Sequence, residues 1–159
     1  MQTFLPYPEF VASAVVLDNR RLGKQRVEAM QILRALTRER YGWKHHPAVL
    51  MWADHEEALA CYAMDICAEW VRRGYADTCA ASICADLAAA DLPAPRSQPE
   101  LVTARQLPPW LGDERLHRSH RAALVRKDPE HYRNHFDDVE DDVPYFWPVR
   151  RRPPAAQSG

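Results

Sequence analysis

The sequence predicts an all-α fold, a single compact domain of about five to six helices with a long proline-rich connection. The chain has 159 residues, which suits one domain with a sizeable core. Five residues are glycine, strand-like alternation is scarce, and apolar residues recur at the spacing of helix faces. We expect the domain to span residues 1–149 and a basic, proline-rich, disordered tail to span 150–159.

Two helices are expected in the first forty residues. A short helix should follow the early prolines over residues 9–18, and a longer amphipathic helix should run over residues 20–39. The longer helix places Leu22 and Leu33 on its apolar side. Gly23 weakens its first turn by about 1 kcal/mol relative to alanine.

Residues 54–73 show the clearest helical pattern of the chain. Asp54 and Glu57 resemble a capping box, and Gly74 suits the left-handed residue that ends a helix. The apolar stripe follows i, i+3, i+4, i+7 spacing. Its members are Leu59, Tyr62, Ala63, Ile66 and Trp70.

The second half of the chain predicts further helices around one long connection. Residues 77–90 are rich in alanine and read as helix, whereas five prolines in residues 91–109 indicate a loop. Asp113 can cap a helix that turns His120 inward. A last short helix is expected over residues 128–136, because proline suits a first helical position.

Composition points to a cytoplasmic protein without a membrane span or a disulfide framework, and we expect a monomer. No apolar run approaches the ~20 residues of a span, and the opening does not resemble a signal peptide. No cysteine pair has C-x-x-C spacing, so buried free thiols are expected. The cysteines are Cys61, Cys67, Cys79 and Cys84.

The net charge of the chain is −1, but acidic and basic residues are concentrated in different segments. Residues 137–142 contain five acids, and the remainder without them carries about +4. Nucleic-acid binding must therefore depend on local clusters of cations.

The first such cluster lies at the N-terminal end of the helix expected over residues 20–39. Its cations suit phosphates, because helix N-terminal amides and guanidinium groups both favour anions. A solvated basic face paired with Asp18 and Glu28 is the alternative. The cations are Arg20, Arg21, Lys24 and Arg26.

The second cluster occupies residues 41–52, a connection between helices that carries tryptophans and cations. Exposed rings of this kind stack on unpaired bases. In the alternative interpretation Trp43 and Trp52 pack in the core and the histidines face water, and for Trp52 the core is favoured. The candidate DNA contacts are Lys44, His45 and His46.

The third cluster is a basic ridge expected on the helix after Asp113. Arg115, Arg118 and Arg121 recur every three residues and so lie roughly together. The same region permits a metal-site hypothesis, but matching carboxylates are missing and core histidines are favoured, so no metal site is predicted. The histidines concerned are His117, His120, His131 and His135.

Several short segments of the sequence resemble those of the pyrimidine-dimer DNA glycosylase family, of the phage endonuclease V type. The resemblance is greatest to an uncharacterised bacterial branch of that family. The resemblance to the branch covers about residues 1–149. To the phage type it rests on an Arg-x-Leu-x-x-x-Arg-Val stretch at Arg20–Val27 and a helix ending at 72–75. The branch-like phrases are MQTFLPYP at 1–8, RLGKQRVE at 21–28, HPAV at 46–49, RRGYAD at 72–77 and PWLGD at 109–113.

The resemblance implies an all-α enzyme that extrudes a nucleotide from damaged duplex DNA and needs no cofactor. Family catalysis uses the N-terminal α-amine to attack the sugar C1′, with help from a glutamate. Glutamine at position 2 should prevent removal of the initiator methionine, so the amine would belong to Met1. Lys24 is the alternative nucleophile. Arg21 stands where the family glutamate aligns, which leaves Glu28 or Asp18 as the carboxylate.

Three functions remain open at this point. The favoured one is a DNA glycosylase with possible AP-lyase activity through an imine. The runner-up is a non-catalytic DNA- or RNA-binding module that has lost the catalytic glutamate. The third is a metal-dependent hydrolase that uses the four histidines. Motifs for nucleotide hydrolysis, nicotinamide binding and serine hydrolysis do not occur in the sequence.

Overall fold

The structure, a computed structural model, describes residues 1–148, which form helices and no strands. This confirms the predicted all-α class, although eight helices replace the expected five to six within the described part. None of those helices has the length and apolar character needed to cross a membrane. The predicted tail lies outside the described residues. The helices are α1 Phe10–Val16, α2 Asn19–Thr37, α3 Pro47–Leu50, α4 Glu56–Arg72, α5 Cys79–Ala89, α6 Gln98–Ala104, α7 Glu114–Lys127 and α8 Pro129–Tyr132.

Helices α2 and α4 pack against each other at the centre of the fold, with α1 against α4 and α5 against both. The stripe predicted on α4 is buried, since Leu59, Tyr62 and Ile66 are fully inaccessible. Trp52 lies in the same core and meets the Trp110 ring edge-on at 4.8 Å. The prediction that Trp52 packs in the core is therefore confirmed.

Gly23 permits a close contact between α2 and α4. A Cβ atom at this position would lie 2.9 Å from Cη2 of Trp70. The Trp70 ring cannot easily move away, because Tyr75 stacks on it at 4.2 Å and Arg26 lies 4.4 Å from its centroid. The loss of helix propensity at Gly23 is thus offset by tight packing.

The helix ends follow the predicted capping residues at all but one position. Asp113 accepts the Arg115 N–H, and Asp128 accepts the N–H two residues beyond Pro129. Gly74 adopts the expected left-handed conformation, with φ of 96°. The capping box at Asp54 is wrong. Asp54 itself has φ of 67° in the turn after α3, whereas an N-cap needs extended backbone, and the N-cap of α4 is His55.

The proline-rich connection over residues 91–109 contains a helix that the sequence did not predict. Ser97 and Glu100 form a complete capping box at the start of α6. Pro99 lies within the first turn, where a proline removes no helical hydrogen bond. The prolines therefore marked a helix start as well as a loop. Gln98 anchors this helix, because its side-chain amide donates to the Pro8 carbonyl at 2.9 Å.

Three of the four cysteines are buried free thiols, as predicted, and none is in a disulfide. Cys84 differs, because it lies on the exposed side of α5. Burial raises the pKa of both Cys61 and Cys67 to about 12. These two thiols are therefore inert packing groups.

The N-terminal segment, residues 2–6, is almost wholly buried without belonging to a helix or strand. Its backbone groups are hydrogen-bonded by side chains instead. The Phe4 N–H donates to Oε1 of Gln25 at 2.9 Å, and the Gln25 amide donates to the Gln2 carbonyl at 2.6 Å. The Tyr62 hydroxyl donates to the Phe4 carbonyl at 2.8 Å. The side chain of Gln25 in α2 therefore binds both a backbone N–H and a backbone carbonyl of the N-terminal segment.

Two histidines of α7 complete this anchorage at Leu5. The Leu5 N–H donates to Nδ1 of His120 at 2.9 Å, so that nitrogen carries no proton. His117 Nε2 accepts the Gly112 N–H at 2.9 Å, so its Nδ1 donates to the Leu5 carbonyl at 2.8 Å. Both rings are fully buried, and burial lowers the pKa of His120 to about 3. The inward orientation predicted for His120 is confirmed.

We expect the free energy of unfolding to decrease as the pH falls below about 6.5, the pKa of an unfolded histidine. Unfolded His120 then binds a proton that the folded site, with its pKa of about 3, does not bind. The loss from this site amounts to at most about 1.4 kcal/mol per pH unit. Urea unfolding at pH 7, 6 and 5 measures it.

The matched variants for this measurement are His120→Gln and His45→Gln. A glutamine at 120 can still accept the Leu5 N–H, yet it does not titrate, so the pH dependence becomes smaller. His45 is exposed, and its variant should keep the dependence of the unmodified protein. If the free energy of unfolding depends equally on pH in all three proteins, His120 is not the source of this dependence.

Candidate functional site

The chain end at Met1 opens into a pocket of about 340 Å³ between α2 and the end of α7. Burial of the N-terminal segment places Met1 half-exposed at the wall of this pocket. The lining combines the chain end, one face of α2, one residue of α7 and one aromatic residue near the C-terminus. The lining residues are Met1, Gln2, Phe4, Arg20, Arg21, Lys24, Gln25, Glu28, Lys127 and Tyr145.

Glu28 provides the carboxylate of the pocket. Its Oε2 accepts the Gln2 N–H at 3.2 Å, and its Oε1 lies 3.4 Å from Nζ of Lys24. The carboxylate is thus held one peptide unit away from the Met1 α-amine. Lys24 and Glu28 share a face of α2 because they are i, i+4 neighbours. All three predicted catalytic residues therefore line one pocket.

Positive charge dominates the rim of this pocket. Arg21 forms an ion pair with Asp18 at 3.1 Å and extends toward the Lys127 carbonyl. Arg20 and Lys127 are exposed, and neither has an ion-pair partner within residues 1–148. Such a rim attracts anions such as phosphates.

Asp18, the alternative carboxylate, does not line the pocket. It caps α2 and accepts hydrogen bonds from the Tyr132 hydroxyl and the Arg21 guanidinium. Although burial raises the pKa of Asp18, these hydrogen bonds lower it below its ordinary value. Asp18 therefore has a structural role at the start of α2.

Arg26 lies apart from the other cations of its cluster. Its guanidinium contacts Asp77 at 2.6 Å and lies over the Trp70 ring, with 14% of its side chain exposed. Arg26 follows Arg20 by six residues and Arg21 by five, and over that distance the helix has turned its side chain toward α5. The predicted DNA contact at Arg26 thus falls outside the pocket.

The connection over residues 41–52 contains α3 and contributes His46 to the neighbourhood of the pocket. Nδ1 of His46 accepts the Ala48 N–H at 3.0 Å and so caps α3. Burial lowers the pKa of His46, and the positive Met1 amine lowers it further while Glu28 opposes this. His45 is exposed. Lys44 instead donates to backbone carbonyls at the end of α2.

The continuous basic ridge predicted on α7 does not form. A three-residue step advances about 300° around a helix, so successive side chains rotate away from one another. Arg121 is buried and donates to the Pro6 carbonyl at 2.9 Å and to Glu114. Arg118 is exposed beside the acidic residues 137–142, and Arg115 pairs with Asp113.

Three of the four histidines of the metal hypothesis make other contacts, and the fourth, His135, is exposed. His117 and His120 hold the N-terminal segment, and Nε2 of His131 lies 3.0 Å from the Val16 carbonyl. Within residues 1–148 no three histidine, cysteine or acidic side chains converge on a common point for a metal ion.

Sequence reasoning missed the contribution of the C-terminal segment, residues 143–148, to the pocket. Arg126 donates to the Val143 carbonyl at 2.7 Å, and the Phe146 N–H donates to Oγ of Ser119 at 3.1 Å. These bonds hold the segment along α7 and bring Tyr145 to the pocket. The run Tyr145–Trp147 was the available signal, because three consecutive aromatic residues are unusual in an otherwise acidic loop.

A family model described as pyrimidine dimer DNA glycosylase matches residues 1–82, slightly more than half of the chain. No curated protein and no solved structure matches the chain significantly. The matched range contains the N-terminal segment, α2 and α4. It includes every pocket residue except Lys127 and Tyr145. The chain therefore belongs to the pyrimidine dimer DNA glycosylase family and has a DNA-repair function of the glycosylase type.

Proposed function

We propose that the protein excises a damaged base from duplex DNA through the Met1 α-amine and then cleaves the abasic strand as a lyase. The observation that carries this proposal is the position of Met1 beside the Glu28 carboxylate in a pocket with a cationic rim. The attacking species in this reaction is the unprotonated α-amine. Such an amine is a competent nucleophile without any cofactor.

In the proposed reaction the unprotonated amine bonds to C1′ as the bond between C1′ and the base breaks. The base leaves with the electron pair of that bond and takes up a proton. The amine loses its protons and the sugar O4′ gains one as the ring opens, which leaves an imine between Met1 and C1′. Removal of a C2′ proton then breaks the C3′–O3′ bond. Glu28 is the carboxylate available to accept the amine and C2′ protons.

Met1 is favoured over Lys24 as the nucleophile because of how the two amines are held. The Lys24 side chain is 74% exposed and its ammonium group pairs with Glu28. Met1 is instead anchored through the hydrogen bonds of Gln2 to Gln25 and Glu28. A fixed amine beside a carboxylate loses less entropy on reaching C1′.

The cationic rim is the proposed contact with the DNA backbone. Arg20, Arg21 and Lys127 surround the mouth of the pocket and suit the phosphates on either side of an extruded nucleotide. Arg115 lies nearby, since its guanidinium is 4.5 Å from the Phe146 ring of the C-terminal segment. These side chains position the duplex while the pocket receives the sugar.

Borohydride trapping on an abasic duplex tests the imine. We expect a covalent complex with the unmodified protein and with Lys24→Ala, and peptide mapping should locate the adduct at Met1. Acetylation of the α-amine should abolish the complex while duplex retardation persists. Trapping that survives acetylation and disappears in Lys24→Ala would transfer the nucleophile to Lys24. Retardation without any trapping in any form supports the non-catalytic binding module.

Glu28→Gln should lower single-turnover base excision by about 10²–10⁴-fold, the usual contribution of a general acid or base. The glutamine Oε1 can still accept the Gln2 N–H, so the fold and the position of Met1 are retained. Affinity for the duplex should not fall, because a negative charge is removed from a DNA-facing pocket. A variant that excises at the rate of the unmodified protein contradicts the role of Glu28.

Arg20→Gln should reduce the salt dependence of duplex binding by about 0.9 in the slope of log K against log salt, as expected for one lost phosphate contact. Arg105→Gln is the matched control, because Arg105 is equally exposed but lies at the end of α6 outside the pocket. Its slope should equal that of the unmodified protein. Identical slopes for both variants would remove Arg20 from the interface.

A further inference from the structure

Trp43 combines two unfavourable features that the fold does not require. Trp43 is 63% exposed, the largest exposed fraction among the large apolar residues of the described range 1–148. Its backbone has φ of 67°, a left-handed conformation that costs a bulky residue roughly 1–2 kcal/mol. Backbone strain of this kind is concentrated at functional sites. An exposed tryptophan held in a strained turn therefore indicates a surface that meets a ligand.

The turn that carries Trp43 is fixed from both sides. Nζ of Lys44 donates to the Ala35 carbonyl at 3.1 Å and also to the Arg38 carbonyl, at the end of α2. On the other side, the His46 N–H donates to the Trp43 carbonyl at 2.9 Å. The ring is thus presented by a rigid support, and no ordering of the loop is needed on binding.

A row of rings connects Trp43 with the pocket. Trp43 meets His46 edge-on at 6.1 Å, and His46 meets Trp147 at 6.1 Å. Trp147 in turn lies 5.5 Å from Tyr145, which lines the pocket beside Met1. The exposed ring therefore stands at the outer end of an aromatic row whose inner end is the candidate reaction site.

We propose that Trp43 stacks on the bases next to the extruded nucleotide and holds the duplex open while the sugar occupies the pocket. This inference rests on the proposed function, because it requires a duplex with one nucleotide removed from the stack. Extrusion leaves a neighbouring base face uncovered, and an aromatic ring regains about 1–3 kcal/mol per base by covering it. Arg40 and His45 are exposed and lie three and two residues from Trp43 in the same loop, where their side chains suit phosphates rather than an apolar protein surface.

The variants that test this role separate the ring from the backbone of the turn. Trp43→Asn removes the ring, and asparagine tolerates the left-handed conformation, so the turn is retained. Trp43→Phe keeps a smaller stacking surface. Val102→Ala is the matched control, because Val102 is 59% exposed and lies on α6 outside the pocket.

Single-turnover excision is compared for one lesion in two settings, fully paired and placed in an unpaired bulge. We expect Trp43→Asn to lower the rate on the paired substrate by about 5- to 150-fold, which corresponds to 1–3 kcal/mol of stacking. The rate on the bulge should stay near that of the unmodified protein, because the base is already unstacked. On the paired substrate, the rate of Trp43→Phe should lie between those of Trp43→Asn and the unmodified protein. The rate of Val102→Ala should equal that of the unmodified protein.

A second readout makes the inference independent of catalysis. A 2-aminopurine placed at the position of the extruded nucleotide should brighten when the unmodified protein binds, because that base leaves the stack. This increase should be lost in Trp43→Asn at saturating protein. If the unmodified protein unstacks the probe but excises nothing, the proposed chemistry fails and the role of Trp43 stands. Equal brightening by Trp43→Asn, or an equal loss of rate on the paired and bulged substrates, overturns the inference.

Discussion

The structure depends on the need of a buried backbone to find hydrogen-bond partners outside helices and strands. Residues 2–6 pass through the core in an irregular conformation, where an unpaired N–H or carbonyl would cost about 1–3 kcal/mol. Gln25, Tyr62 and His120 supply partners from α2, α4 and α7. One irregular segment therefore ties three helices together, and the position of the chain end follows from their packing.

The pocket beside Met1 results from this arrangement. Because Gln25 fixes the segment from the face of α2 that also carries Glu28, the α-amine and the carboxylate share a support. The cations of the rim belong to the same helix and to the end of α7. Tyr145, near the C-terminal end of the described residues, also lines the pocket. The groups proposed to react are thus held by a buried segment, and the residues proposed to meet DNA lie at the surface.

Local patterns in the sequence predicted the helices well, because apolar periodicity and capping acids act over a few residues. The stripe of α4 and the cap at Asp113 are examples. The three residues predicted as catalytic share a pocket, whereas Arg26 and Arg121 turned inward to partners far along the chain, Asp77 and the Pro6 carbonyl. Such partners depend on tertiary packing, which no local pattern encodes. The same reason hid the contributions of the C-terminal segment.

The anchorage of Leu5 by His120 has a consequence for the order of folding. These residues are separated by 115 positions, so the backbone of residues 2–6 finds all its hydrogen-bond partners only after α7 has folded against it. Contacts of such long range form slowly, because the entropy of closing a large loop must be overcome first. The N-terminal segment is therefore fully positioned only when α7 docks against it. The pocket that contains Met1 is in this way incomplete until the whole domain has assembled.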